Sequence, residues 1–471
     1  MLLLGIDIGT SHTKAVVVAR DGREVASSAV ATPFVGRDGR TEMSVDALRG
    51  CLGDVLAPLG DRRRQVVAAG VAGIAESGAP FDAGGRPLAP VIAWTDERGH
   101  EAVAALARQF GPALPARIGQ EVRTVLTVSK LGWLVSNGMT GMARWLGVPE
   151  LALHALTGEA ATEVSLAART GAFDVISRNW IPEVPTSLGF SIGAFPPVCV
   201  AGAAMGRVSG PASGWSGLPR GIPVTIAGHD HLVGMAGAGA GPGDAANSVG
   251  TAETIVVRAP GPPDVAAALA AGLRVSVHPG GEEWAVLVGA ARAGLVLEAA
   301  AARLGRALPD LDRAAAGEPV AHGTAAGEPT ASGTAAGEPT ANGTAAGAGA
   351  GPAALDGIVD GLARGIPVVF PAVADGTVWA GLLRALAART ADAYRRLVQV
   401  VGPCLRLVVY GGGAASDPWL RAKAAALTVP VVRSDASAVA RGAALYAGVA
   451  AGWWATVDGA PAPSLVPVGR P

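Results

Sequence analysis

Two aspartates stand where apolar strands give way to small residues. Asp7 interrupts the run Gly5 to Val18, GIDIGTSHTKAVVV. A buried carboxylate is costly unless it is paired, hydrogen-bonded or bound to a metal. Asp7 therefore lies at an exposed strand end or faces something polar. Asp230 follows the apolar stretch IPVTIA and sits between His229 and His231 in AGHDHLVGMAGAG. A phosphoryl acceptor needs its hydroxyl held in line and a base to take the proton. An aspartate at a strand end beside a cleft suits that base. The plainer reading is a helix N-cap before HLVGMAG, and one aspartate can serve as both. A metal site is the rival reading of His-Asp-His. No further His or Cys cluster completes a ligand set, and two histidines two apart on a helix do not share a face.

Three glycine turns accompany these acids. Gly9, Thr10 and Ser11 close the first strand, with Lys14 just beyond. Gly250 and Thr251 do the same in SVGTAETIVV, and Gly411, Gly412 and Gly413 follow LRLVVY. Glycine turns at strand ends expose backbone N–H groups, which cradle anions. One such turn is only a turn. Three in this order suit a nucleotide lying between two domains, with Asp7 facing the phosphates and holding Mg²⁺ directly or through water. Two further segments offer pocket walls. Trp94 and Asp96 lie in AWTDERG, which reads equally as a helix start with acids in its first turn. Glu76 ends the strand GVAGIAES, where it either bonds substrate hydroxyls or joins a solvated turn.

The elements that must position these residues are legible in outline. LLLGIDIG, TKAVVVAR and EVASSAVATP read as an antiparallel meander, with an Asp-Gly turn in RDGR. A dinucleotide-binding fold would place a helix after the first strand, and no GxGxxG is present. SVDALRGCLGDVLAPL reads as a helix capped by Ser44. Helical patterns follow at 97–109, 129–138 and 150–156, then at about 378–400 and in the closing SAVARGAALYAGVAAGWW. SVGTAETIVV can be laid over DIGTSHTKAV, Gly-Thr upon Gly-Thr, which suggests an internal duplication with a boundary in the Gly-rich stretch near 240–246. Residues 314–346 repeat AAGEPxAxGT-like units with a ten-residue period. These lack large apolar side chains and read as a surface insertion with no core of its own.

Composition narrows the class. The 471 residues are 50% hydrophobic, with a net charge of −1 and no long single-sign run. That balance gives no nucleic-acid surface and no sign of a membrane partner. Three scattered cysteines, Cys51, Cys199 and Cys404, read as reduced thiols in a cytoplasm. The start MLLLGIDIGTSH lacks the basic region of a signal peptide, and no apolar stretch reaches the roughly 18 residues of a spanning helix. The expectation is a soluble cytoplasmic enzyme; a homodimer is left open.

These residues resemble the FGGY carbohydrate kinases, within the actin-like ATPase superfamily with its ribonuclease H-like domains. GIDIGTSHTKAVVV is similar to the first phosphate motif of that family, and GRPLAPVIAWTDERG to its Trp-x-Asp-x-Arg segment. VSKLGWLVSN resembles the Lys-x-x-Trp-Leu helix, AGHDHLVGMAGAG the segment with the catalytic base, SVGTAET the second phosphate motif, and VVYGGGAASDPWLRAKAAALTVPVV the adenosine motif. The resemblance implies an α/β fold of two ribonuclease H-like domains, each a mixed sheet flanked by helices, with a cleft between them. Residues 1–243 would bind the sugar and carry the base; 244–471 would bind nucleotide, with the insertion at about 314–350. It implies transfer of phosphate from ATP to a hydroxyl of a small sugar, ketose or polyol. Asp230 would be the general base and Asp7 the Mg²⁺-associated carboxylate. Gly9, Thr10, Ser11, Lys14, Gly250 and Thr251 would hold phosphates. Gly411 to Gly413, with Ser416 and Asp417, would hold adenosine. Glu76, Trp94, Asp96, Arg123 and His231 would face the acceptor. Some features depart from the family pattern. Ala75 stands where glycerol kinases place the arginine of an Arg-Glu pair. A Gly-x-Arg-x-Pro loop after FPAV is missing. Ser437 replaces a common Glu. A degenerate ATP-binding sensor on the same fold is the competing reading; an actin-like chaperone would need a peptide-binding domain that this chain lacks.

Overall fold

The computed structural model describes residues 1–317, 352–366, 368–371 and 374–469. The expected insertion at 314–350 lies, beyond Gly317, outside the described residues. Two mixed sheets organise the remainder. The first runs Gly206–Arg207, Pro223–His229, Val66–Gly73, Leu2–Ile8, His12–Val18, Glu24–Ala31. Its last three strands form the expected antiparallel meander. Leu2–Ile8 also runs parallel to Val66–Gly73, which is parallel to Pro223–His229. These three central strands bury nearly every side chain, because helices cover both faces.

The second sheet runs Arg274–Val277, Trp284–Ala291, Glu253–Ala259, Ala245–Val249, Leu407–Tyr410, Val431–Ser434, Leu465–Pro467. It repeats the plan of the first. Ala245–Val249 turns back antiparallel into Glu253–Ala259 and runs parallel to Leu407–Tyr410. The two hairpins differ by one residue of register: Asp7 stands opposite Lys14, whereas Ser248 stands opposite Thr254.

The helices follow the sequence signals with shifted ends. Val45–Leu56 is capped by Ser44, whose Oγ accepts from the Ala47 N–H at 3.0 Å. His100–Phe110, Thr127–Ser136, Val148–Thr157 and Asp375–Val401 stand where periodicity places them. No described helix is long and apolar enough to cross a membrane, and the three cysteines are unpaired.

The final helix, Ala438–Ala450, lies against the first sheet although that sheet is built from residues before 230. The approach is backbone to backbone. A Cβ on Gly5 would sit 1.7 Å from the Ala440 carbonyl oxygen, and one on Gly70 1.9 Å from that of Ala443. The helix after Asp230 meets the same helix equally closely, since a Cβ on Gly237 would lie 1.7 Å from the Ala438 oxygen. Close packing at native density leaves no room for these atoms. Arg441, buried, ties the junction by donating to the carbonyls of Gly237, Gly22 and Pro461. Ser437, the residue standing in place of a common Glu, offers its N–H to Glu24 Oε1 at 3.0 Å. A carboxylate from the first sheet thus sits at the start of the last helix, where the helix dipole favours it.

Candidate active site

Asp7 and Asp230 approach one another because of the parallel strands. Ile8 stands beside Gly73, and Gly73 beside His229. The two acids therefore emerge at the same sheet end, two strand spacings or roughly 10 Å apart along the backbone. Asp7 lies on the face that carries Leu3 and Gly5, just past the final helix. Burial pushes its carboxyl up to about 7, the Asp230 charge pushes the same way, and Lys14 across the hairpin opposes both. Like carboxylates sharing one site behave in this way.

Asp230 is the first residue of the helix Asp230–Gly237 and is partly exposed. Its Oδ1 accepts from the His231 N–H at 2.6 Å. His229 precedes it in extended conformation with φ −66° and ψ 129°. Its Nε2 lies 3.2 Å from Asp230 Oδ1, so the Nε2–H tautomer donates to the carboxylate. Burial, and then the charges of His231, Arg169 and Arg274, hold His229 well below the usual imidazole range, which keeps it neutral. The ligating atoms of His229, Asp230 and His231 lie within 4.8 Å of one another. This corrects one argument from sequence: His229 is still in the strand, so the rule for two histidines on one helix does not apply. The His231 ring meets the His229 ring edge-on at 5.3 Å. Tyr410, from the second sheet, donates its hydroxyl to the His231 carbonyl at 3.0 Å and so links the two domains beside Asp230.

The glycine turns flank this pair. The Gly9 N–H closes its own turn onto His12 O at 3.0 Å, and the Gly250 N–H closes onto Ala252 O at 3.2 Å. Thr10 Oγ1 accepts from Trp94 Nε1 at 2.8 Å, which ties the first turn to the Trp94 segment. Ser11, Lys14, Gly250 and Thr251 are exposed. Gly411 has φ 101°, and a Cβ there would meet the Val249 carbonyl oxygen at 2.7 Å. Only glycine fits both constraints. Gly412 stands in the open, and a Cβ on Gly413 would strike the Trp419 ring. Ser416 and Asp417 have structural partners. Ser416 Oγ caps the helix Asp417–Ala426, and Asp417 pairs with Arg433 at 2.8 Å.

A buried network behind these turns was not visible in the sequence reading. Lys423, fully buried, donates from Nζ to Asn247 Oδ1 at 3.1 Å, to Thr390 Oγ1 at 2.9 Å and to Glu253 Oε1. Glu253 belongs to SVGTAET and Lys423 to the helix after the Gly-Gly-Gly turn. The pair joins the Gly250–Thr251 and Gly411–Gly413 turns from beneath. A lone lysine in the apolar stretch RAKAAALTVPVV was the available signal.

Glu76, expected from sequence to face an acceptor, has φ 61°, a left-handed conformation uncommon for a side-chain-bearing residue. It is held by an ion pair to Arg169, whose Nε donates to Glu76 Oε1 at 2.8 Å; both side chains are nearly buried. The arginine missing beside Glu76 at Ala75 is thus replaced by one 93 residues away. Lys130, also buried, donates to the Thr124 and Val125 carbonyls at 3.0 and 2.9 Å and fixes the loop that bears Arg123. Burial brings Lys130 down to about 8 against the pull of Glu76 and Asp96. Asp96 is 1% exposed and bonds Arg98 and the Thr41 N–H. Its carboxylate anchors its own segment through these bonds. Arg98 continues the link to Glu42 and stacks 4.8 Å from the Trp133 ring centroid.

Residues 2–237 match the N-terminal domain model of the FGGY family of carbohydrate kinases, and residues 333–451 match its C-terminal domain model. The chain belongs to the FGGY family. It is 31% identical over 266 residues to an L-fuculokinase of Salmonella typhi, covering 55% of this chain and 56% of that protein. The chain spans about half the length of the curated relatives it matches. Solved structures share the whole architecture. A xylulose kinase of Lactobacillus acidophilus superposes with a TM-score of 0.79 at 16% identity, over 99% of this chain and 93% of that one. One from Rhodospirillum rubrum gives 0.77 at 22%, over 99% and 94%. These likenesses establish the two-domain actin-like fold of an FGGY protein.

Proposed function

We propose that this FGGY protein is an ATP-dependent kinase that phosphorylates a hydroxyl of a small sugar, ketose or polyol. The observation that carries the reading is the pairing of Asp230, partly exposed and held by neutral His229, with Asp7 at the same sheet end. Asp230 takes the proton of the acceptor hydroxyl as its oxygen bonds the γ-phosphorus of ATP. The bond from that phosphorus to the bridging oxygen breaks, and ADP leaves. His229 orients the carboxylate without competing for the proton. The amides of Thr10 and Thr251, free of their turn-closing neighbours, face the phosphates together with Lys14, and the Gly411–Gly413 turn receives the adenosine.

Asp7 suits a divalent cation. It is a part-buried carboxylate whose charge is opposed by a second carboxylate, and a bound divalent cation would offset that opposition. Mg²⁺ held there would neutralise charge on the transferring phosphoryl group. Closure of the two domains excludes water and suppresses hydrolysis of ATP. The unpaired cysteines agree with a cytoplasmic setting.

The test is ADP release with ATP and Mg²⁺ across a panel of ketoses, aldoses, polyols and sugar acids. Turnover should require one acceptor and fall by about 10²–10⁴-fold in Asp230→Asn, the usual contribution of a general base. ATP binding with silence across the panel would favour the sensor reading.

A further inference from the structure

Two arginines beside the candidate acceptor site have no partner. Arg274 lies on the edge strand Arg274–Val277 of the second sheet, and Arg123 on the loop that Lys130 fixes. Among the described residues, neither guanidinium makes a hydrogen bond or an ion pair.

Topology aims Arg274 at the reacting end. It stands opposite Leu287, as Ser276 stands opposite Ala285, so these four share one face of the sheet. Leu287 and Ala285 pack on Leu232 and Met235, within the helix that Asp230 opens. Gly289, two residues past Leu287 on the same face, is exposed; a Cβ there would lie 3.9 Å from Arg274 Nη2. The guanidinium therefore lies over an open glycine. The Val275 N–H donates to the Gly119 carbonyl at 2.8 Å, which docks this strand on the first domain four residues before Arg123.

The charges do not balance. Arg169 is spent on Glu76, and among the described residues no carboxylate pairs with Arg123 or Arg274. After burial, the charges of Arg169 and then Arg123 draw Arg274 down to about 10, against Glu76. Arg169 and Arg274 also reach His229, the neighbour of Asp230. Gathered like charges raise the free energy of a site, and an anion that enters lowers it. Guanidinium forks match carboxylate and phosphate oxygens in pairs.

We propose that Arg274 and Arg123 form a subsite for an anionic group on the acceptor, a small polyhydroxylated molecule ending in a carboxylate or a phosphate. The inference rests on the kinase reading for the position of the reacting hydroxyl. The subsite spans both domains, so an anionic acceptor would also draw the second sheet toward Asp230.

The test is binding without ATP, which separates it from turnover. Five- and six-carbon aldonates and alditol phosphates are each titrated calorimetrically beside the neutral alditol of the same chain. At least one anion should bind about ten-fold or more tightly than its neutral counterpart, with the preference weakening in salt. An aldonate preference names a sugar acid, and a preference for the alditol phosphate names a phosphorylated polyol. Arg274→Gln and the exposed Arg123→Gln should each remove most of the preference, and Arg274→Lys should restore part of it. Equal affinity for all charged and neutral partners, or a preference untouched by either Gln variant, overturns the proposal. So does an Arg274→Gln effect confined to the KM for ATP, which would assign the arginine to the nucleotide. A surviving anion preference in a protein without kinase turnover would keep the subsite and remove the kinase reading instead.

Discussion

Lys423→Met should separate the structural role of the buried network from that of the exposed turns. Lys423 and Glu253 are both fully buried, and Glu253 Oε2 has no partner in the described structure. Removing the lysine leaves a carboxylate sealed from water with only the Thr390 hydroxyl beside it. Breaking one side of such a pair destabilises by about 3–5 kcal/mol. For a domain of this size that lowers the melting temperature by on the order of 10 °C. The double variant Lys423→Met, Glu253→Gln should recover most of the loss, because no buried charge remains and the amide can donate to Asn247. Urea unfolding of parent, both single variants and the double variant gives the coupling. Nucleotide affinity, read by titration with ADP, should fall further than acceptor affinity, since the network lies under the Gly250–Thr251 and Gly411–Gly413 turns. A single-variant loss below about 1 kcal/mol, or a double variant as unstable as the sum of its parts, would refute the reasoning.

Four further outcomes rest on packing, burial and metal charge. Gly5→Ala places a Cβ against the Ala440 carbonyl and must push the final helix outward, so it should destabilise by about 3 kcal/mol or more. Gly50→Ala, in an open position of Val45–Leu56, should instead stabilise by about 0.5–1 kcal/mol; denaturant midpoints compare the two. Burial pushes Glu163 up to about 8 from 4.5, against its bonds from Ser165. Between those values the folded chain keeps a proton that the unfolded chain releases, so stability declines as pH rises through that window, by up to about 1.4 kcal/mol per unit. Glu163→Gln should remove this slope and gain on the parent from pH 5 to pH 8; parallel pH profiles would show that Glu163 does not titrate as described. Asp7→Asn should weaken the Mg²⁺ dependence of turnover while leaving ADP binding in the absence of metal intact, as an activity titration against Mg²⁺ would show.

The sequence by itself determined the local grammar of this protein. Alternating apolar runs broken by Gly-Thr and Gly-Gly-Gly specified strands with tight turns, Ser44 specified a helix start, and Asp7 and Asp230 declared themselves as acids at apolar strand ends. These signals are local, so one chain segment carries each of them. What the tertiary structure decided was partnership. Glu76 receives Arg169 from 93 residues away, Glu253 receives Lys423 from 170, and Asp96 receives Arg98 and the Thr41 N–H. Ser416 and Asp417, read from sequence as nucleotide contacts, are engaged as a helix cap and an ion pair. Arg274 gains its meaning only because an edge strand of one sheet docks on the loop of the other domain. A buried charge can be satisfied by any opposite charge that the fold brings near, and nothing in the spacing of residues along the chain records which one arrives.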